Sequence, residues 1–400
     1  LDNVNLKGEV RVKAKSTETA RRLIGMVSFF ITLTLIIVTP SACFATSAYW
    51  TKAEQTHDFV VGNLLTSYNS YSITPGSSTT YTWYNVSQMD ADANMIQQGD
   101  TRYASYMNNT YSFMSHLWDT GSKNGGYYAA ANISGSGAGG AQYVDDNSLT
   151  GVAYLDAYQA SSGSQQAAYL ASAEAIANWL MNSGQWDTTC GGGFWWSTAK
   201  TVKPTQSNGL AMQLFLRLYG ITGKSYYSQW ATSIKSWLET KMHGSNGLYI
   251  WQLSNTCAAQ TTNFTYDNAI MIEADLLWAS TMSDASYITK AENIATSMNS
   301  VLWSTTYKVY QFTSNDAVVN VTWCVWASEA LVRLYQADGD STWLTYAQEN
   351  IDYMNNHLRD NSNYGYYDQC KLDGSNRSST FEEVDQAWME RTQGLLSQYR

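Results

Sequence analysis

Asp145 and Asp146 stand side by side in the segment Tyr143-Val144-Asp145-Asp146-Asn147, between a glycine-rich stretch and an apolar, helix-like run. Adjacent carboxylates feel each other's charge, so they titrate as a pair, and one can hold a proton while the other is an anion. Cleavage of a glycosidic bond needs that division: one group protonates the departing oxygen and the other acts as an anion. The same dipeptide could do nothing more than cap a helix, with one Asp accepting hydrogen bonds from the first free amides. What else the chain delivers to the same place decides between the two readings.

Apolar residues recur at three- and four-residue spacing over about a dozen segments, with no long strand pattern, which predicts an all-α protein. Tyr103, Tyr169, Tyr227, Tyr287 and Trp343 open one series of helices at intervals near 60 residues. Each helix of that series runs into an aromatic-rich turn, among them Gly125-Gly126-Tyr127-Tyr128 and Gly192-Gly193-Phe194-Trp195-Trp196, where short β-hairpins are expected. A second, charge-poor series follows the turns, beginning near Asp146, Thr205, Thr265, Val321 and Phe381. Helices with so little charge on any face are buried. Two more helices, near 51–68 and 86–97, complete six hairpins. Six hairpins without polar capping repeats predict a closed (α/α)6 toroid rather than an open array.

In such a ring each turn delivers the chain to the start of an inner helix, so one rim gathers the candidate site. Trp83 and Asn85 belong to the first inner helix, Asp145, Asp146 and Asn147 to the second, Gln206 to the third, and Tyr266, Asp267 and Asn268 to the fourth. Trp195 and Trp196 arrive from the turn between the second and third. Aromatic faces beside carboxyl and amide groups suit a pyranose, which offers a C–H face and a ring of hydroxyls. These residues are the expected substrate contacts.

The first 48 residues read as a secretion leader: six basic side chains, an uncharged apolar run from Leu23 to Val38, then Pro40 and a small-residue exit. An uncleaved membrane anchor is the alternative. Residues 49–400 form the single catalytic domain of this reading. Without the first 45 residues the chain has 17 basic and 30 acidic side chains, a net charge of −13. That charge disfavours nucleic acid and polyanionic substrates as partners and suits a neutral polysaccharide. Cys190, Cys257, Cys324 and Cys370 remain, an even number that favours disulfides in an exported protein. Ring order predicts the pairs Cys190–Cys257 and Cys324–Cys370. Neither C-x-x-C spacing nor paired histidines occur, so no metal and no cofactor is expected. The protein is expected to act as a monomer. The four histidines, His57, His116, His243 and His357, fall in the outer series or the first helix, away from the rim, which argues against the proton chemistry of a sugar epimerase.

The runs Tyr143-Val144-Asp145-Asp146-Asn147, Cys190-Gly191-Gly192-Gly193-Phe194-Trp195-Trp196 and Tyr266-Asp267-Asn268 resemble the family-76 glycoside hydrolases, whose known members are endo-acting α-1,6-mannanases. The resemblance covers nearly all of the chain after the leader. It implies a secreted, retaining enzyme on an (α/α)6 fold, with Asp145 as nucleophile and Asp146 as acid/base. A mannan transglycosylase, or a non-hydrolytic cell-wall protein that binds mannan, is the alternative. Two departures stand out. The family usually has tryptophan near the positions of Leu149 and Thr150, and often Asn-Gln-Gly where this chain has Asp267-Asn268-Ala269. Asp267 is therefore expected to supply a third carboxylate to the sugar hydroxyls.

Overall fold

The computed structural model describes residues 47–121 and 125–399. The leader and the question of its cleavage lie outside the described residues. Among the described residues, twelve α-helices alternate between two layers. The inner layer is α2 (Thr82–Gln97), α4 (Val144–Gln159), α6 (Thr205–Thr222), α8 (Thr265–Thr281), α10 (Val321–Asp338) and α12 (Glu383–Leu396). The outer layer is α1 (Ala48–Asn63), α3 (Ala104–Met114), α5 (Gly163–Asn182), α7 (Ser225–Trp237), α9 (Ser286–Val301) and α11 (Ser341–His357). Each inner helix packs on its two inner neighbours, and α12 packs on both α2 and α1, so the ring is closed and the first and last of the described α-helices share one hairpin.

The two layers follow from side-chain pattern. Outer helices bury a single stripe, as in α7 with Tyr227, Ala231, Ile234 and Trp237, or α9 with Tyr287, Ala291, Ile294 and Met298. The aromatic that recurs near every 60 residues heads this stripe, with a small residue one turn on in four of the five helices. Inner helices are buried nearly all round; α4 buries Val144 and every residue from Asn147 to Leu155. Close approach between them needs small residues. A Cβ at Gly209 would stand 2.6 Å from Ile270 of the next inner helix.

Two repeated hydrogen-bond devices lock the rim. The first amide of each inner helix donates to a carbonyl in the loop of the adjoining repeat: Thr82 to Ala129, Val144 to Trp196, Thr205 to Trp251, Thr265 to Phe312, Val321 to Asp368 and Glu383 to Ile73. The last of these ties the end of the chain to its beginning. The fourth residue of an inner helix clamps the aromatic turn behind it. Asn85, Asn147, Asn208, Asn268 and Gln386 accept from the amides of Tyr71, Tyr127, Phe194, Tyr249 and Tyr366 in turn. The same side chains donate back to the carbonyl just before their own helix. A buried amide with donor and acceptor both used is well satisfied, and these five replace side-chain caps that most inner helices lack.

Strand structure is slighter than the expected hairpins. The aromatic turns are mostly closed by single bridges such as Trp118 with Tyr127 and Trp186 with Phe194. The two- and three-residue strands mainly join neighbouring loops: 79–81 with 130–132, 202–204 with 252–254, and 318–320 with 369–371. At Gly193 the turn requires φ near 85°, and an added Cβ would meet the Trp237 indole at 2.5 Å. Only glycine fits both conditions.

Cys190 and Cys257 form the expected disulfide between neighbouring rim loops. Cys324 and Cys370 do not pair; both are buried free thiols. Cys324 is the fourth residue of α10, the clamp position, so it turns into the wall instead of toward the rim loops. Asn350 of α11 takes over the clamp there, accepting from Tyr310 and donating to the Cys324 carbonyl. Among the described residues, no helix is long and apolar enough to cross a membrane.

Candidate active site

A cleft of about 570 Å³ opens on the rim where the inner helices begin. Asp145 and Asp146 line it together with Trp83, Trp196, Gln206 and Tyr266, and so do Tyr81, Tyr143, Trp251, Trp323 and Trp326. Among the described residues, no Lys, Arg or His lines it. Trp83 stacks on Trp323 at 5.4 Å between centroids, and Tyr266 lies 4.7 Å from the same indole, so three inner helices build one continuous aromatic wall. Such a wall presents π faces to the apolar side of a sugar ring.

Helix geometry explains which residues of each run arrive. Trp83, Asp145, Gln206 and Tyr266 are the second residues of α2, α4, α6 and α8. One turn deeper on the same faces, Leu149, Leu210 and Ile270 form the apolar floor. Two residues on from the second position the helix has turned about 200°. Asn85, Asn147 and Asn268 therefore face away from the cleft as the buried clamps described above. Trp195 and Trp196 divide in the same way, because neighbours in an extended segment point to opposite sides. Trp196 is 37% exposed and reaches the cleft, whereas Trp195 is 4% exposed and donates to Asp187 with Lys203 over its ring.

Asp267 does not supply a third carboxylate to the cleft. It is fully buried and does not line the cleft. Burial above all pushes its carboxyl well above the ordinary range, against a hydrogen bond from the Gln206 backbone and with the Asp145 charge added, which favours the protonated form. Lys203, two residues before α6, is fully buried too. Its ammonium bonds Asp187 Oδ1 at 2.8 Å and the carbonyls of Thr189 and Gly192 at 2.8 Å, fastening the loop that carries Trp196.

The two carboxyls have unequal surroundings. Asp145 Oδ2 accepts from Trp196 Nε1 at 2.9 Å and from Gln206 Nε2 at 3.5 Å, and Oδ1 accepts the Asp146 amide at 3.1 Å. Asp146 makes no side-chain hydrogen bond among the described residues. Burial raises the Asp145 carboxyl to about 6, and its donors, Trp196 first, hold it from rising further. Burial raises Asp146 well above the ordinary range, and the Asp145 charge adds to the shift. Both groups also sit in the first turn of α4, where the free amides favour an anion. The donors favour Asp145 as that anion and leave Asp146 as the proton carrier.

Trp323, expected on the rim at the start of the fifth inner helix, lines the cleft, and Tyr81, Tyr143, Trp251 and Trp326 line it without having been among the expected contacts. Tyr81 and Tyr143 are the residues just before α2 and α4, and Trp326 is one turn below Trp323. Counting from each inner-helix start would have found these three, but not Trp251, which comes from the loop before the strand Gln252–Ser254.

A cleft of this kind can seat a sugar ring and offer both an anion and an acid to one glycosidic bond, which places the protein among the glycoside hydrolases. The chain belongs to glycosyl hydrolase family 76, whose family model matches residues 49–321. No curated protein matches it. Among solved structures it is similar to a family 76 α-mannanase of Bacteroides thetaiotaomicron, with TM-score 0.77 and 19% identity, over 88% of this chain and 96% of that one. It is also similar to an inactive variant of an α-1,6-mannanase of Salegentibacter sp., carrying two Asp-to-Asn substitutions and solved with α-1,6-mannotriose. There the TM-score is 0.72 at 16% identity, over 88% of this chain and the whole of the other. A cellobiose 2-epimerase of Bacillus thermoamylovorans shares the toroid at TM-score 0.70 and 12% identity, over 86% and 99% of the two chains.

Proposed function

We propose that the protein is a retaining endo-glycosidase acting on α-1,6-linked mannan outside the cell. The observation that carries the reading is the asymmetry of the two carboxyls at the foot of the aromatic cleft. In the first step Asp145 attacks the anomeric carbon while Asp146 gives its proton to the departing sugar oxygen. In the second, Asp146 takes a proton from water, and that water releases the sugar from Asp145. Consecutive side chains can approach the separation of about 5 Å that retention requires.

The linkage and the sugar rest on family membership and on the mannotriose complex of the Salegentibacter enzyme. Action outside the cell rests on the leader-like first 48 residues and on the Cys190–Cys257 disulfide. Epimerase chemistry is disfavoured because none of the four histidines lines the cleft, and acidic sugars because no cationic side chain among the described residues does.

Incubation with linear α-1,6-mannan, followed by NMR of the first-formed anomer, tests the proposal. Release of α-configured oligomers of several lengths is the expected result. A β product would overturn retention, release of the monosaccharide alone would overturn the endo mode, and products longer than the substrate would identify a transglycosylase.

A further inference from the structure

Away from the cleft, three helices converge on a second set of ionisable groups. His57 of α1, Asp92 of α2 and Glu390 of α12 each place one ligand-type atom within 4.8 Å of the other two. The helices are those of the seam where the two ends of the chain close the ring. His57 is 6% exposed, and Asp92 and Glu390 are fully buried. None of the three lines the active cleft.

Two of the separations approach those of neighbouring ligands around one ion, and the third pair lies within 4.8 Å. His57 Nδ1 lies 3.1 Å from Glu390 Oε1 and 3.6 Å from Asp92 Oδ1. Ligand atoms held about 2.1 Å from a common first-row ion, at angles between octahedral and tetrahedral, are roughly 3.0–3.5 Å apart. Gln88 fixes the two carboxylates, donating from Nε2 to Glu390 Oε2 at 2.9 Å and to Asp92 Oδ1 at 3.2 Å. An outer amide that orients two carboxylates at once is the usual second shell of a metal site.

Charge and unmet valence point the same way. Glu383 lies seven residues before Glu390, two turns along the same face of α12, and the charges of Glu390 and Asp92 act on it. It is fully buried, and both of its oxygens lack a partner, as do Asp92 Oδ2 and Gln88 Oε1. Three buried carboxyl groups therefore gather at the seam, two of them within reach of the single imidazole. Buried carboxyl groups without full hydrogen bonding are either neutralised or bound to a metal.

We propose that His57, Asp92 and Glu390 bind a divalent first-row cation, Mn²⁺ or Zn²⁺, that fastens the seam of the ring. One nitrogen and carboxylate oxygens suit these ions better than Ca²⁺, which prefers oxygen alone. The role is structural, since the ion would bridge the first and last helices at a distance from the reacting carboxyls.

The test uses the full chain, freed of any affinity tag, stripped with chelator and then titrated with Mn²⁺ or Zn²⁺. Elemental analysis should find about one equivalent retained after gel filtration, and Tm should rise by on the order of 5 °C. Asp92→Asn and His57→Gln should each abolish the rise, while the double variant Asp145→Asn, Asp146→Asn should keep it. Pulsed electron paramagnetic resonance of Mn²⁺ on the unaltered protein should show coupling to one histidine nitrogen, which requires no variant to fold. A Tm indifferent to both ions, binding without nitrogen coupling, or loss of binding in the Asp145, Asp146 double variant would each overturn the proposal. The last result would place the ion in the cleft, a separate matter from whether mannan is cleaved.

Discussion

The indole of Trp196, in the loop between α5 and α6, donates to Asp145 Oδ2 in the first turn of α4 at 2.9 Å. One carboxyl of the pair is thereby held as the anion, and the loop fastened by Lys203 and by the Cys190–Cys257 bridge is coupled to the chemistry. Trp196 thus serves the nucleophile at least as directly as it serves the substrate.

Trp196→Phe keeps the aromatic face and removes that donor. A hydrogen bond to a charged group contributes about 1.5–3 kcal/mol, so kcat/KM on linear mannan should fall about ten- to a hundredfold. The acid limb of the pH profile should move to higher pH, because the anionic form of Asp145 loses a partner. An unchanged profile would assign the residue to substrate contact alone.

Asp145→Asn and Asp146→Asn should each lower kcat on the order of 10³-fold or more while leaving mannotriose binding measurable by calorimetry. Activity carried by this pair requires Asp145 ionised, so kcat/KM should rise through a pKa near 6, the value to which burial brings that group.

Stability should move in the opposite sense. Asp145 and Asp146 both have folded-state pKa values raised above the ordinary carboxyl value. The folded state therefore holds more protons than the unfolded one, from about pH 4 upward through the raised values, and stability falls as pH rises across that window. Asp146→Asn removes this penalty, so thermal scans at pH 7 should find the variant at least as stable as the parent, with the difference shrinking toward pH 4.

Asn208→Ala tests the clamp. The side chain accepts from Phe194 at 2.7 Å and donates to Pro204 at 2.8 Å and Phe194 at 3.2 Å, all within the wall. Leaving those backbone groups unpaired should cost about 2–4 kcal/mol in chemical denaturation. The loop of Trp196 should loosen with it, and KM should rise.

Non-reducing peptide mapping should find Cys190 joined to Cys257 and two free thiols at Cys324 and Cys370. The bridge closes a loop of 67 residues, so the Cys190→Ser, Cys257→Ser variant should lose about 2–4 kcal/mol.

Sequence by itself determined the helical ring, because the recurring aromatic and the charge-poor alternate helices are local patterns that admit one arrangement of layers. It determined the carboxyl pair as well, since adjacent acids at a helix start need no distant partner to be recognised. What the pattern could not settle is which way a residue faces at the first turn. Trp83, Gln206 and Tyr266 turn inward, while Asn85, Asn147 and Asn268 have rotated into the wall. That rotation depends on helix starts known to the residue, and a slip of one position turns a side chain by about 100°. The clamp that Asn350 supplies at Cys324, the burial of Asp267 and Lys203, and the meeting of His57 with Asp92 and Glu390 depend on groups from different elements, up to 333 residues apart in the chain. Only closure of the ring brings such groups within a few ångströms, and only there do burial and mutual charge decide what each one does.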